Sequence, residues 1–342
     1  MRKMTIIGAG GWGTALANVL AKKGFSVTLW ARRKEICDNL FKTRENVNYL
    51  PGVIIPANVH FTNDFEEAVK DSELVLMATP SMVMRDIIKK IKPFITNNTV
   101  VVSASKGFEQ STLLRMSEVI AEELGEDHPI AVLSGPNHAE EVGKDLPTAT
   151  VVASKKKSTA EFVQDVFMSP KLRVYINPDI IGVEVGGALK NIIALGAGIS
   201  DGLKFGDNTK SALLTRGLTE IARLGVAMGA DTHTFAGLAG LGDLIATCTS
   251  QHSRNWRCGN QIGQGKKLKE ILEGSNMVVE GVRTTEAVQE LSKKYDIQMP
   301  ISEELYKVLF EEKDAKTAVI DLMLRGKTHE TEEVVRTERE NW

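Results

Sequence analysis

Two hydrophobic rhythms divide this chain. From Met1 to about Asn177, short apolar runs alternate with stretches of helical period. The runs "MTIIG", "SVTLWA", "NVHFT", "ELVLMAT", "TVVVSA", "PIAVLS", "TATVVAS" and "RVYIN" are rich in β-branched residues and bounded by turn formers, which predicts strands. Between them lie helical candidates such as "WGTALANVLAKKG" and "MVMRDIIKKIKPF". In the first of these, Ala15, Leu16, Val19 and Leu20 mark one apolar face, and Gly24 stands where a helix ends. The first five runs form strand–helix–strand units, so a mostly parallel sheet covered by helices is expected.

After Pro178 the strand-like runs stop. "DIIGVEVGGALKNIIALGAGISDGL", "ALLTRGLTEIARLGVAMG", "LKEILEG", "TTEAVQELSKKYD" and "ISEELYKVLFEE" all carry a helical period. The pattern predicts an α/β domain over residues 1–178 and an all-helical domain over residues 179–342. The final "KTHETEEVVRTERENW" is charged and weakly periodic, as expected of a solvated helix or frayed tail.

Composition narrows the class without naming an activity. At 342 residues the chain exceeds the size at which one core usually keeps growing, in keeping with two domains. The balance of 42 Lys+Arg against 44 Asp+Glu argues against a nucleic-acid partner, which draws a basic excess. No uninterrupted apolar run reaches the roughly 18 residues of a membrane helix, so no span is expected; Asn191 to Ser200 is the upper limit. The N-terminus runs directly into a strand, without a cleavable signal pattern. Cys37, Cys248 and Cys258 are odd in number and lack C-x-x-C spacing, which fits reduced thiols in the cytoplasm.

The chemistry begins at "IIGAGGWG". Gly8, Gly10 and Gly13 have G-x-G-x-x-G spacing after a strand and before a helix. The first permits a tight turn, the second lets backbone approach a pyrophosphate, and the third lets helix pack on strand. Free N–H groups at the helix N-terminus then meet the anion. A site selective for NAD carries an acidic residue after the second strand; here "LWARRK" places Arg32 and Arg33 there. Guanidinium forks suit a 2′-phosphate, so NADP is admitted beside NAD.

Further candidates follow later strands. Lys106 in "VVVSASKGF" follows a strand at the sheet edge where α/β proteins bind ligands. "VLSGPNHAEEV" puts Gly135 and Asn137 at a similar edge, with a helix starting at Asn137; they serve either as a cap or as ligand contacts. Lys190 has Gly186, Gly187, Ile193 and Ala194 as helical neighbours, an unusual setting for a lysine. Either it loses part of its hydration and exchanges a proton near neutrality, or the small face packs on another helix while Lys190 snorkels out. Asp243 and Thr247 share a helical face, and Asp243 is either an N-cap or the partner of Lys190. Ser253, Arg254 and Asn255 offer hydroxyl, guanidinium and amide donors for a phosphate, or else cap the next helix. The histidines form no metal-binding pattern, and neither a nucleophile elbow nor a P-loop occurs. Redox chemistry remains.

In order along the chain, "GAGGWGTALA", "LWARR", "SKGFE", "LSGPNHAEEV", "GGALKNIIALGAGISDGL", "TRGLTEI", "GLAGLGDLIATCTSQHSRN" and "VVEGVRT" resemble the bacterial-type NAD(P)-dependent glycerol-3-phosphate dehydrogenases. The resemblance implies a Rossmann-like N-terminal domain, a helical C-terminal domain and an active site in the cleft between them. It implies reversible reduction of dihydroxyacetone phosphate to sn-glycerol 3-phosphate for phospholipid synthesis, with NADP or NAD. Lys190 becomes the proton donor or acceptor, supported by Asp243 and Thr247 as catalytic residues. Lys106, Gly135, Asn137, Lys190, Asp243, Ser253, Arg254 and Asn255 become the substrate site. Gly8, Gly10, Gly11, Trp12, Gly13, Arg32, Arg33, Lys106, Ala139, Arg254, Val278 and Glu280 become the dinucleotide site. Two departures stand out: Asn137 replaces a frequent Ser or Thr, and Gly11 a common Ser. A related β-hydroxyacid or sugar-acid dehydrogenase and a dinucleotide sensor without turnover stay open as rivals, and a homodimer stays open as the assembly.

Overall fold

The computed structural model describes residues 2–274 and 278–327, so the charged tail beyond Lys327 lies outside the described residues. The chain separates into two compact units, Met1–Glu184 and Val185–Trp342.

The first unit carries ten strands. They are β1 (Lys3–Ile7), β2 (Ser26–Trp30), β3 (Glu45–Asn46), β4 (Leu50–Ile54), β5 (Val59–Thr62), β6 (Leu74–Met77), β7 (Val100–Ser103), β8 (Ile130–Ser134), β9 (Thr148–Ala153) and β10 (Leu172–Asn177). Eight form one sheet in the order β10-β9-β8-β7-β6-β1-β2-β5. Each of these corresponds to one of the apolar runs read from the sequence. Every pairing is parallel except β8 with β9, which is antiparallel. The small β3–β4 hairpin escapes sequence reading because β3 is only two residues long and β4 contains Pro51 and Gly52.

Period-2 alternation distributes the core over both sheet faces. Ile6, Leu74 and Leu76 pack with Leu16 and Leu20 of the helix Gly11–Lys22 on one face. Ile7, Val75 and Met77 pack with Ile88 and Ile120 on the other. Both faces are therefore dry, which is why the strands read as continuous apolar runs. The strand order reverses at β1, flanked by β2 and β6, and at such a switch point open α/β sheets bind ligands beyond the carboxyl ends of their strands.

The second unit is helical among its described residues, as the period after Pro178 predicts. Its long helix, Ile180–Gly202, begins in the last residues of the first unit. Contrary to the run-counting argument, this helix is long and apolar enough to cross a membrane, with a mean hydropathy of 1.5 over its most apolar window. An average tolerates Lys190 and a second charged residue where a run count stops. Some 89% of that window is buried in the protein, the mark of a core helix. Arg254–Gly263 packs so tightly on it that a Cβ on Gly259 would lie 2.0 Å from the Leu195 carbonyl oxygen.

A buried carboxyl caps another helix of this unit. Glu220 is 2% exposed and accepts from the backbone N–H of Ile301 (2.6 Å) and Ser302 (3.2 Å), and from the Ser302 hydroxyl (3.1 Å). These donors open the helix Pro300–Phe310. Burial pushes the Glu220 carboxyl up to about 7 from an ordinary 4.5, against the downward pull of the donors. A raised carboxyl means that the folded state binds the proton more tightly than the unfolded state. Its contribution to stability is complete below about pH 4.5 and is lost as pH rises through about 7. Urea unfolding between pH 5 and 8 should show wild type losing stability relative to Glu220→Gln as pH rises. A difference that stays flat or grows contradicts this.

Candidate active site

The glycine loop follows β1 at the switch point. Gly8 has φ +119°, and a Cβ there would lie 2.5 Å from the Ala78 carbonyl oxygen, so only glycine fits. A Cβ on Gly13 would lie 1.9 Å from the Gly8 carbonyl oxygen, so the helix start can close on the strand end only without a side chain. At Gly10, by contrast, an added Cβ meets no protein atom within 4 Å. The helix Gly11–Lys22 has no side-chain cap and no acidic residue in its first turn. Trp12 Nε1 is buried without a hydrogen-bond partner beside this turn. Open space over Gly10, an uncapped helix N-terminus and an orphaned donor fit a dinucleotide with its pyrophosphate on the loop.

Gly11 has a local reason to be glycine in this chain. Its Cβ would sit 2.6 Å from the Tyr49 carbonyl oxygen and 3.5 Å from Ala139 Cβ. Serine would force the segment between β3 and β4 outward. Arg32 and Arg33 are exposed just beyond the carboxyl end of β2, and Arg33 precedes the helix Lys34–Thr43.

Lys106 lies past the end of β7 and is half-buried. Its Nζ donates to the Gly135 carbonyl and to Asn137 Oδ1, each at 3.2 Å. Asn137 Nδ2 donates to Thr150 Oγ1 at 3.1 Å, and that hydroxyl donates to the Ser134 carbonyl at 2.7 Å. The structure thus brings Lys106, Gly135 and Asn137 together, but the Asn137 amide serves the protein itself. The following helix starts at Ala139, not Asn137, with His138 at its cap position, because the Asn137 side chain is turned towards Thr150 and Lys106.

In the second unit, Lys190 is 6% exposed, and its Nζ donates to Asp243 Oδ1 and, at 2.7 Å, to Thr247 Oγ1. Asp243 is 2% exposed and is the first residue of the helix Asp243–Thr249, whose cap position is Gly242. The small face around Lys190 does pack against protein, but the lysine does not snorkel. A Cβ on Gly186 would lie 2.6 Å from the Ala239 carbonyl oxygen. Ala239 belongs to a π-helical turn, Leu238–Gly242, that hands the chain directly to Asp243. Glycine at 186 lets this turn come close, and the turn delivers the carboxylate that a buried ammonium requires. Cys248, beside this pair, is buried and its thiol is pushed up to about 12, so it stays protonated and is no nucleophile.

Three sequence-singled residues open the neighbouring helix. Ser253 Oγ accepts from the Trp256 N–H at 3.2 Å, the capping role that its type suggests. Arg254 is exposed, and its Nη1 donates to the Val278 carbonyl at 3.0 Å. Asn255 is buried; its Nδ2 donates to Asn191 Oδ1 at 2.8 Å and its Oδ1 accepts from the Gly281 N–H at 2.9 Å. Asn255 therefore ties the helix carrying Lys190 to the helix Glu280–Lys294, which Glu280 opens. Asn191 escaped sequence reading: beside Lys190 in an apolar run it resembles any interior amide, and only its partner reveals its use.

Comparison with known proteins follows this division. The model for the NAD-dependent glycerol-3-phosphate dehydrogenase N-terminus matches residues 3–160, and that for the C-terminus matches residues 179–320. The chain is 54% identical over 339 residues to a glycerol-3-phosphate dehydrogenase (NAD(P)+) of Bacillus subtilis, covering 98% of each. It is 56% identical over 329 residues to that of Moorella thermoacetica, covering 96% of this chain and 98% of the other. The crystal structure of glycerol-3-phosphate dehydrogenase from Coxiella burnetii superposes with a TM-score of 0.91 at 40% identity, covering 95% and 99% of the two chains. A ketopantoate reductase from Ralstonia eutropha shares the fold alone, at a TM-score of 0.60 and 15% identity.

Because Gly186 sets the position of the turn before Asp243, Gly186→Ala should loosen the Lys190 pair while the protein stays folded. Reductive methylation read by mass spectrometry should leave Lys190 unmodified in wild type and label it at least several-fold faster in the variant. Equal labelling would remove Gly186 from the account.

Proposed function

The chain belongs to the NAD-dependent glycerol-3-phosphate dehydrogenase family, and on that premise we propose that it reversibly reduces dihydroxyacetone phosphate to sn-glycerol 3-phosphate for glycerophospholipid synthesis. It is an NAD(P)-dependent oxidoreductase acting on a CH–OH group. The observation that carries the mechanism is the buried Lys190 ammonium held by Asp243 and Thr247.

Reducing a ketone to an alcohol adds a hydride to carbon and a proton to oxygen. The reduced dinucleotide supplies the hydride when bound. Lys190 delivers the proton to the oxygen as negative charge develops there, and in the reverse direction takes it back. Asp243 keeps the ammonium in place, and Thr247, which donates to the Asp243 carbonyl at 2.6 Å, offers Lys190 an oxygen in fixed orientation. These contacts limit the lysine to one position, so little alignment is left to chance during the reaction.

For the dinucleotide, we assign the pyrophosphate to the Gly8, Gly10, Gly11 and Gly13 loop and the 2′-phosphate of NADP to Arg32 and Arg33. Trp12, Lys106, Ala139, Arg254, Val278 and Glu280 complete that reading. For the substrate, Arg254 is the phosphate clamp, with Ser253 and Asn255 contributing through the groups that their protein bonds leave free. Lys106 adds positive potential, steadied by Gly135 and Asn137. A cytoplasmic location belongs to the same proposal, in line with three buried, unpaired thiols.

The test follows NADH and NADPH oxidation with dihydroxyacetone phosphate. Lys190→Ala should fold and bind the dinucleotide yet lose turnover by about a hundredfold or more, the range of a proton donor. Arg254→Ala should mainly raise KM for dihydroxyacetone phosphate. Near wild-type turnover in the first variant, or an unchanged KM in the second, contradicts the assigned role.

A further inference from the structure

The glycine loop is gripped from behind by a residue that no motif marks. Asn46, in β3, is 4% exposed, and its Nδ2 donates to the Ala9 carbonyl at 3.0 Å and to Thr14 Oγ1 at 2.8 Å. Thr14, fully buried in the first turn of the helix, donates its hydroxyl to the Gly10 carbonyl at 2.8 Å, and its N–H donates to the same oxygen at 3.0 Å. The orientation of the amide is fixed chemically, since a carbonyl oxygen can only accept. Two consecutive carbonyls of the loop, Ala9 and Gly10, are therefore turned inward and held.

That has a geometric consequence. In a planar trans peptide the N–H points opposite to the C=O of the same unit. With the Ala9 and Gly10 carbonyls bound on the protein side, the N–H groups of Gly10 and Gly11 are aimed the other way, over the open space at Gly10. The hairpin that carries Asn46 is itself anchored: Asn18 of the same helix donates to the Ile54 carbonyl at 3.3 Å, and the Ile55 N–H donates to the Arg44 carbonyl at 2.7 Å. A loop rich in glycine has many backbone conformations available, and each contact that removes the wrong ones lowers the entropy lost on binding.

We propose that Asn46 is a positioning residue for the dinucleotide: its amide, with the Thr14 hydroxyl, presets two peptide planes of the glycine loop so that their N–H groups meet the pyrophosphate. The inference rests on the assignment of this loop to the dinucleotide. Asn46 touches no reacting atom; it acts through the loop.

The experiment titrates the full chain with NADPH by fluorescence, alongside steady-state kinetics and thermal melts. Asn46→Ala should raise the NADPH Kd about tenfold, as expected for two buried hydrogen bonds. The kcat at saturating NADPH and the KM for dihydroxyacetone phosphate should stay within about twofold. Thr14→Val, nearly isosteric, should weaken NADPH several-fold, and Thr14→Ser, which keeps the hydroxyl, should bind like wild type. These last two variants decide the matter if Asn46→Ala does not fold. Folded variants that melt earlier but bind NADPH with wild-type Kd would reduce Asn46 to a structural tie and overturn the proposal. A wild-type protein that binds neither NADPH nor NADH would overturn the functional reading, and this inference with it.

Discussion

A charged amine buried to 6% exposure must be paired, and the second unit is organised around meeting that requirement at Lys190. Removing the partner of a buried charge typically costs about 3–5 kcal/mol, a large share of the stability of a domain. The chain meets the demand with a specific sequence of devices. Gly186 admits the backbone at Ala239, the π-turn reaches Asp243, and the helix that follows brings Thr247 one turn later. The ion pair and the backbone geometry are one construction. Neither has an evident use without the other.

The first unit solves a different problem, that of holding a flexible glycine loop in one shape. Its glycines are not interchangeable. Gly8 and Gly13 are glycine because neighbouring backbone is too close, whereas a Cβ added at Gly10 would meet open space. The inward-held carbonyls of Ala9 and Gly10 convert that loop from a permissive segment into a prepared surface.

Much of this was legible in the sequence, and the boundary of legibility has physical causes. All eight strands of the main sheet announce themselves because a sheet buried on both faces demands continuous apolar runs. The β3–β4 hairpin does not, since β3 is only two residues long and Pro51 and Gly52 interrupt β4, although Leu50 and Val53 are buried in the core. Lys190 was conspicuous among small residues, and Asp243 and Thr247 were recognisable by spacing. What spacing cannot reveal is a partner distant in sequence: Asn191 with Asn255, Asn46 with Ala9, Gly186 with Ala239. For Ser253 and Asn255, residue type alone was ambiguous, and the contacts show that both bond within the protein.

The proposed mechanism rests on proton transfer by Lys190. Chemical rescue of Lys190→Ala by small primary amines tests it most directly, since an added amine enters the vacated volume without altering the rest of the protein. Methylamine and ethylamine should restore dihydroxyacetone phosphate reduction, with rates that vary with the pKa of the amine. Absence of rescue by any amine small enough to enter, or rescue indifferent to amine pKa, would contradict it.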